Sequence, residues 1–478
     1  MDDREDGTEL SARGNAGVAG DSARPAIDDL HEFLSSRPQL AADSQEMLAR
    51  LSEERLLTFG GRPFSRYLRP HMITPGQHAA ITGVVRTLAS AFVKLRRAML
   101  HDRSLVEQLD LTPQELHLAF VDPGFEEPSP SARYDSFWSE RDWRFVENNA
   151  ESPASIAYCD VLSETFLEMP VIREWTAQRG YRLRTLPARD RFMAEIERVY
   201  REFRSNRGAE FGFNERPNIA IVDWDGVPTH TEFELFKRYF EERGLKTVIT
   251  NPQSLEFRDG RLWAGDFPID VFYKRVLTSE LLQRPDAARP TVQAYEAGAI
   301  CLINSFRAKL LHKKMSLALL HDDSNAHLFT PEEVRTIQRH IPWTRKVAEG
   351  YTNYEGQRID LLPFIAENRE RLVLKPNDEY GGKGVAIGWD TTDEEWQRTL
   401  RDALQSSYVV QEGVHLDREP YPYYDENRLG FRDLTADLDP FVFGTDTQGI
   451  LTRLSAASLL NVTAGTGSVV PTIVVDRG

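Results

Sequence analysis

Residues 371–388, RLVLKPNDEYGGKGVAIG, set two lysines on either side of a glycine-rich turn. An apolar strand ending in Lys375 leads into a loop holding Gly381, Gly382, Lys383 and Gly384, and a second apolar stretch follows. Glycine lets a backbone run close to a polyanion without side-chain obstruction. Successive loop amides can then point at phosphate oxygens while the two ammonium groups supply charge, so the natural guest is a nucleoside triphosphate. The Walker loop is excluded: it needs GxxxxGK, then Ser or Thr, then a helix. Here Gly384 follows Lys383, and VAIGW (385–389) reads as strand. A β-hairpin with a solvated lysine turn fits the segment taken alone, so the rest of the chain must decide.

A second constellation lies in RYDSFWSERDWRFVENNAESPAS, residues 133–155. WRFVE reads as a strand, and alternation puts Arg144, Val146 and Asn148 on one face and Glu147 and Asn149 on the other. A carboxylate and an amide oxygen aimed the same way are hard ligands of the kind magnesium takes, and Asp135 could add a third. The plain alternative is an edge strand with a polar face. Further cations follow. NSFRAKLLHKKMSLALLHD (304–322) reads as a loop entering a helix, with Lys314 near the helical start, where free amides favour phosphate. SSYVVQEGV (406–414) is a strand with Gln411 and Glu412 at its exit, which could present donors and acceptors to an adenine edge. Arg453, in LTRLS, follows an apolar strand, and NVTAGTGS (461–468) is a small-residue loop suited to close backbone approach.

The elements that must position these groups form several lobes. A chain of 478 residues exceeds what one hydrophobic core usually serves. Residues 1–26 are rich in Gly, Ala, Ser, Asp and Arg and read as a disordered tail. Residues 27–132 read as mainly helical; Val84, Leu88, Phe92, Leu95 and Met99 share one face, with Arg96 and Arg97 expected in solvent. FEEPSPSARYD (125–135) is expected to be a surface connection. Residues 133–216 hold the candidate metal strands and connecting helices, and 217–303 a separate α/β unit. There NIAIVDWDG (218–226), a helix over 229–244 capped by Thr229 or Thr231, TVIT, the hairpin FRDGRLWAG and FPIDVFYKRV (267–276) predict a parallel sheet with substrate near Asp225 and Arg275. Residues 304–478 form the nucleotide lobe. Composition is ordinary for a globular protein, at 41% hydrophobic and 28% charged. No apolar run reaches membrane-spanning length, and the N-terminus lacks a signal peptide's apolar core. A net charge of −16 argues against a sequence-independent nucleic-acid binder. Cys159 and Cys301, the only cysteines, offer neither a disulfide framework nor a CxxC metal site, which fits the cytoplasm.

Taken together, ExNAxS after Arg-aromatic-Asp, the KP…GG-K loop, the QE strand exit, RLS and NVTAGTGS, in that order, resemble the circularly permuted ATP-grasp proteins. The pattern is most similar to the synthetase domains of glutathionylspermidine and trypanothione synthetases and runs from Arg133 to the C-terminus. In ordinary ATP-grasp enzymes the metal strands follow the nucleotide lysines; here the acidic motif precedes them. The resemblance implies an α/β, α+β-lobed, circularly permuted ATP-grasp fold with an N-terminal helical region and a central parallel-sheet substrate domain. It implies ATP and Mg2+ as cofactors, with Asp135, Glu147 and Asn149 on magnesium and Arg133 facing the acyl phosphate. Lys314 and Lys375 would hold phosphates under a lid of Gly381, Gly382 and Lys383. Gln411 and Glu412 would contact adenine, Arg453 the γ-phosphate or substrate carboxylate, and Ser152 the acyl substrate. No cysteine-based amidase pattern precedes these motifs, and neither spermidine nor glutathione can be carried over as substrate.

The implied reaction is carboxylate–amine ligation: a small-molecule or peptide carboxylate takes the γ-phosphoryl group of ATP, and an amine displaces phosphate from the acyl phosphate. A kinase acting on a non-carboxylate acceptor, and a nucleotide-binding interaction protein without turnover, are the alternatives. Oligomeric state is left open.

Overall fold

Strand-forming runs after residue 130 assemble around one long antiparallel sheet. In the computed structural model, residues 22–139, 142–414, 416–457 and 467–477 are described, with only the backbone of 208–210. Strands Ala132–Trp138 and Trp143–Asn149 form a hairpin at one side of the sheet. Ala132–Trp138 then pairs with Asp439–Phe443, followed by Asp446–Ser455, Arg428–Ala436 and Glu419–Asp425. Strand Ser468–Arg477 also pairs with Asp446–Ser455 and takes His71–Ile73 in parallel and Tyr181–Arg184 antiparallel. Segments from both ends of the chain are thus woven into one sheet, and strand Asp439–Phe443 lies between the hairpin and the strand that carries Arg453.

Helix Pro75–His101 starts at a capping box between Thr74 and Gln77 and lays Ile81, Val85, Leu88, Phe92, Leu95 and Met99 against Tyr134, Phe145 and Val442. Of the predicted face, Val84 is half-buried and the other four residues are buried. Helix Ile156–Glu168 joins a second core with Leu451, Val469 and Ile473.

The central unit is the parallel sheet that its apolar runs predict. Its order is Cys301–Ile303, Val271–Lys274, Ile219–Val222, Thr247–Thr250, and helix His230–Glu242 makes the crossover between the last two. A third, small antiparallel sheet places Leu372–Pro376 between Ala386–Ile387 and Tyr408–Glu412, with Thr344–Lys346 outside the latter. Its Leu372, Leu374 and Val410 pack on Ile365, Trp396 and Leu400 of two helices, which leaves Val373, Lys375 and Gln411 on the opposite face.

A buried ion network ties the sheets together at Glu151. This carboxylate is inaccessible to solvent. One oxygen accepts from Lys274 Nζ at 2.9 Å, from Thr278 N at 2.7 Å and from the Thr278 hydroxyl. The other accepts from Lys309 Nζ at 3.3 Å and lies 3.7 Å from His312 Nε2. Lys309 also reaches Asp378 at 2.6 Å, and Lys313 reaches the second Asp378 oxygen at 3.0 Å. Burial favours the neutral acid, but Lys274 and Lys309 override it and hold Glu151 below the usual carboxylate range. Burial wins at Lys274, which faces one carboxylate and sits below its ordinary range; at Lys309, Glu151, Asp378 and Glu115 outweigh burial and raise it.

Some expectations change. Residues 1–21 lie outside the described residues, but the presumed tail extends too far, because a helix already starts at Arg24. Arg96 is buried, with Glu126 at 3.1 Å, although Arg97 is exposed as expected. The segment 128–135 is buried rather than on the surface, because it enters the main sheet. Neither Thr229 nor Thr231 caps helix His230–Glu242: Thr229 makes no capping bond and Thr231 donates to Thr58 O. VAIGW gives only the two-residue strand Ala386–Ile387 before a 3-10 turn. No helix among the described residues is long and apolar enough to cross a membrane.

Removing Glu151 leaves two lysines buried without their shared acceptor, the costly case for internal ion pairs. Glu151→Ala is expected to lower unfolding free energy by about 3–5 kcal/mol. Because the folded-state pKa is depressed, the wild-type contribution is complete above the unfolded value of about 4.3 and is lost as pH falls below it. Denaturant titrations of both proteins at pH 7 and in acid check this; a loss under about 1 kcal/mol at pH 7 would contradict it.

Candidate functional site

A cavity of about 490 Å³ opens where the three sheets meet, within the size range of small-molecule sites. The hairpin strands supply Arg133, Asp135, Glu147 and Asn149, and strand Asp446–Ser455 supplies Arg453. The small sheet contributes Val373, Lys375, Gln411 and Glu412, and Lys314 comes from the junction of two short helices. The C-terminal ends of two parallel strands contribute Asp223 and Arg275.

The hairpin departs from simple alternation. Asp135 faces Glu147, but Ser136 faces Phe145, so Val146 is an extra residue in a bulge. The expected grouping of Arg144, Val146 and Asn148 on one face is therefore broken. Trp143 and Phe145 go to the core, Arg144 pairs with Asp142, and Val146 lines the cavity. Past the bulge, parity resumes: Glu147 and Asn149 line the cavity, while Asn148 is buried away from it with its side-chain oxygen unpartnered.

The charges are mutually paired. Arg133 holds Asp135 with two bonds of 2.7 and 3.0 Å and donates to Ala154 O at 2.9 Å. Arg453 joins three carboxylates: Asp135 at 2.8 Å, Asp437 at 2.6 Å and Asp439 at 2.9 Å. Burial would raise Asp135, but Arg133 and Arg453 hold it down at about 2, and Asn149 helps by hydrogen bonding. Lys314 Nζ lies 2.9 Å from Glu147 and donates to Glu379 O at 2.7 Å. Glu147 is likewise below its ordinary range, with burial opposed chiefly by Lys314. Lys375 Nζ donates to Gln411 Oε1 at 2.6 Å, and burial lowers it to about 8 against the pull of Glu147. At the far end, burial raises Asp223 to about 6.

The loop 378–384 closes one side of the cavity. Gly381, Gly382 and Gly384 have φ of 64°, 74° and 72°, the left-handed region open to glycine at little cost. Gly381 and Gly382 line the cavity; Lys383 does not, being exposed and paired with Glu379 at 3.3 Å. Its expected place over a nucleotide is therefore not where this structure puts it. Gln411 lines the cavity, but its amide is engaged by Lys375 and Thr344 rather than offered to a base edge. Glu412 accepts from Tyr354 Oη at 2.9 Å. Ser152 lines the cavity and donates to Arg275 O at 2.8 Å. Asp225 is directed to Asn251, and Asp223 takes the position expected of it. Residues 461–466 of NVTAGTGS lie outside the described residues. Sequence reading left Asp437 and Asp439 unassigned, although their two-residue spacing on a strand-like run repeats the parity of Glu147 and Asn149. Glu151, Lys309 and Asp378 had no local signal.

The donor set fits magnesium with a nucleotide better than a metal held by protein alone. Among the described residues no three His, Cys, Asp or Glu groups are arranged to hold an ion. Magnesium takes one or two carboxylates and completes its shell with phosphates and waters, and Asp135, Glu147 and Asn149 match that need. Lys314 and Lys375 suit the phosphates, and Val373, Ile387, Trp389, Val414 and Leu451 add apolar lining to the same cavity.

No protein-family model and no curated protein matches the chain. Solved structures do. A glutathione synthetase-like effector, GSS30, from Globodera pallida in its apo form aligns over 92% of this chain and 94% of its own, with 13% identity and a TM-score of 0.54. A candidate gamma-glutamylcysteine synthetase from Methylobacillus flagellatus KT aligns over 84% of this chain and 89% of its own, with 11% identity and a TM-score of 0.41. At 13% identity the likeness to GSS30 is one of fold. That fold is ATP-grasp-like, with mixed helices and sheets including a parallel one.

The parity past the bulge separates two adjacent side chains. Glu147→Ala is expected to abolish ATP turnover with the fold intact, whereas Asn148→Ala, which removes a buried amide with an unpartnered oxygen, retains it. Phosphate release and thermal melts of both variants test this; equal loss of turnover in both would refute the assignment.

Proposed function

We propose that the protein is an ATP-dependent ligase that joins a carboxylate to an amine through an acyl phosphate. The observation that carries the reading is the convergence in one cavity of two lysines, two arginines and the Asp135, Glu147, Asn149 set. The same cavity is also lined by Phe59, Phe64, Trp224, Val227 and Pro228 and by Arg275, Asp223 and Ser152. A nucleotide site alone would serve any phosphoryl transfer; this further lining gives an acceptor somewhere to sit.

In this reading the apolar lining takes the purine, and Lys314 and Lys375 draw the triphosphate toward Arg133. Asp135, Glu147 and Asn149 would hold magnesium, whose chemistry when bound is to neutralise charge on the β- and γ-phosphates. The substrate carboxylate attacks the γ-phosphorus, ADP leaves, and the amine then adds to the acyl carbon and expels phosphate. Arg133 and Arg453, permanent cations with planar donor forks, stabilise the oxyanion of that addition. The glycine-bearing loop shields the acyl phosphate from water. Lys314 meets Glu147 and Glu379 O with two of its three donors, which leaves one for a phosphate oxygen and links nucleotide arrival to loop position at one ammonium group.

A phosphate-release screen of amino acids, short peptides and polyamines, with hydroxylamine as trap, tests the reaction. The expected outcome is an ATP- and magnesium-dependent hydroxamate of one acid. Phosphate found on a hydroxyl acceptor, with no hydroxamate, would replace the ligase by a kinase, and absence of any turnover would leave the nucleotide-binding alternative.

Arg133 stabilises the transition state more than bound ATP, so its loss belongs mainly in kcat. Arg133→Ala is expected to lower kcat by a factor on the order of 100 or more, the scale for one oxyanion donor, with KM for ATP nearly unchanged. Steady-state kinetics decide; normal kcat with a greatly raised KM would move Arg133 to the nucleotide-binding set.

A further inference from the structure

The small sheet contains a buried chain of hydrogen bonds that ends on Lys375. Thr344 and Gln411 are directly opposed on adjacent antiparallel strands, and Lys375 lies on the strand at the other side of Gln411. Thr344 is inaccessible and Gln411 nearly so. Thr344 Oγ1 donates to Pro342 O at 2.8 Å, Gln411 Nε2 donates to Thr344 Oγ1 at 2.9 Å, and Lys375 Nζ donates to Gln411 Oε1 at 2.6 Å.

The polarity of this chain has only one consistent direction. A threonine hydroxyl carries one proton, and here it is committed to the Pro342 carbonyl. Its oxygen therefore faces Gln411 as an acceptor and can be met only by the amide NH2. That leaves the amide oxygen for Lys375, whose ammonium has donors alone. The reversed amide would set NH2 against the ammonium and its oxygen against the Thr344 hydroxyl, and leave either the Pro342 carbonyl or the Thr344 oxygen without its partner, a costly outcome at buried positions.

We propose that Thr344 and Gln411 are positioning residues for Lys375: Thr344 fixes which way the Gln411 amide points, and the amide oxygen fixes where the ammonium sits in the cavity. The proposal rests on the nucleotide-site reading above and gives Gln411 a different task from contact with adenine. Thr344 does not line the cavity, so it acts through Gln411 alone.

The test compares wild type with Thr344→Val, which keeps the shape and loses the hydroxyl, and Thr344→Ser, which restores it. Magnesium–ATP affinity by calorimetry is expected to fall by about tenfold in Thr344→Val, the upper end for a neutral hydrogen bond such as that between Gln411 and Thr344. Thr344→Ser should return it, and the fall should vanish in a Lys375→Met background. Unchanged affinity in Thr344→Val, or an equal fall with and without Lys375, overturns the proposal. A second readout needs no nucleotide: acetic anhydride labelling of Lys375 in the ligand-free protein, followed by peptide mass mapping across pH. Thr344→Val is expected to label faster than wild type, with Thr344→Ser unchanged, because the ammonium form has lost its fixed acceptor. Identical labelling in all three overturns the relay. Changed labelling in a protein that fails to bind magnesium–ATP keeps the relay and removes the nucleotide reading instead.

Discussion

Glu151 is the point on which the arrangement of lobes depends. It follows strand Trp143–Asn149 by two residues, yet its partners belong to other parts of the chain: Lys274 ends a strand of the parallel sheet, and Lys309 lies on a short helix leading to Lys314. A fully buried carboxylate is unfavourable unless its charge is matched. Only a geometry that brings both lysines to it satisfies that demand. The lobes are therefore held by charge as well as by packing, and the cavity lies beside the place where they are held.

The same economy extends to the glycine-bearing loop. Asp378 opens that loop and is gripped by Lys309 and Lys313, while Lys314 reaches the next carbonyl, at Glu379. One basic helix segment thus serves the lobe junction, the base of the loop and the cavity. Its third lysine is the one shared with Glu147. The guanidinium side is organised in the same way. Arg453 meets three aspartates and Arg133 doubles its grip on Asp135, so each cation is held in place by carboxylates before any substrate arrives. Paired charges keep a polar cavity stable within the protein and keep the donors oriented.

How much of this was legible depended on the range of the interaction. Local patterns carried the parallel sheet, whose apolar runs and intervening helix 230–242 obey short-range rules. They also carried the pairing of Glu147 with Asn149 across one intervening residue, because strand parity is local. Parity failed at Val146, where the bulge depends on the partner strand and leaves no mark in WRFVE itself. It failed again for Arg96: a helix pattern shows which face is polar, but Glu126, its partner, comes from a separate segment. Lys383 and Gln411 show the opposite error. Each stands in a suggestive motif, yet one side chain is turned to Glu379 and solvent and the other is taken by its neighbours.

By itself the sequence determined the residue types, their order and their local faces. The glycines of 381–384, the acidic strand ahead of the lysines and the alternating apolar runs are enough to specify elements and a kind of chemistry, since turns, parity and helical faces are set by neighbours a few positions apart. Tertiary structure alone decided which charges meet. Asp135 joins Arg453 across 318 positions and Lys274 joins Glu151 across 123, and no local rule connects residues so far apart. Those pairings follow from the cost of burying an unmatched charge, which is settled only when the lobes close on one another.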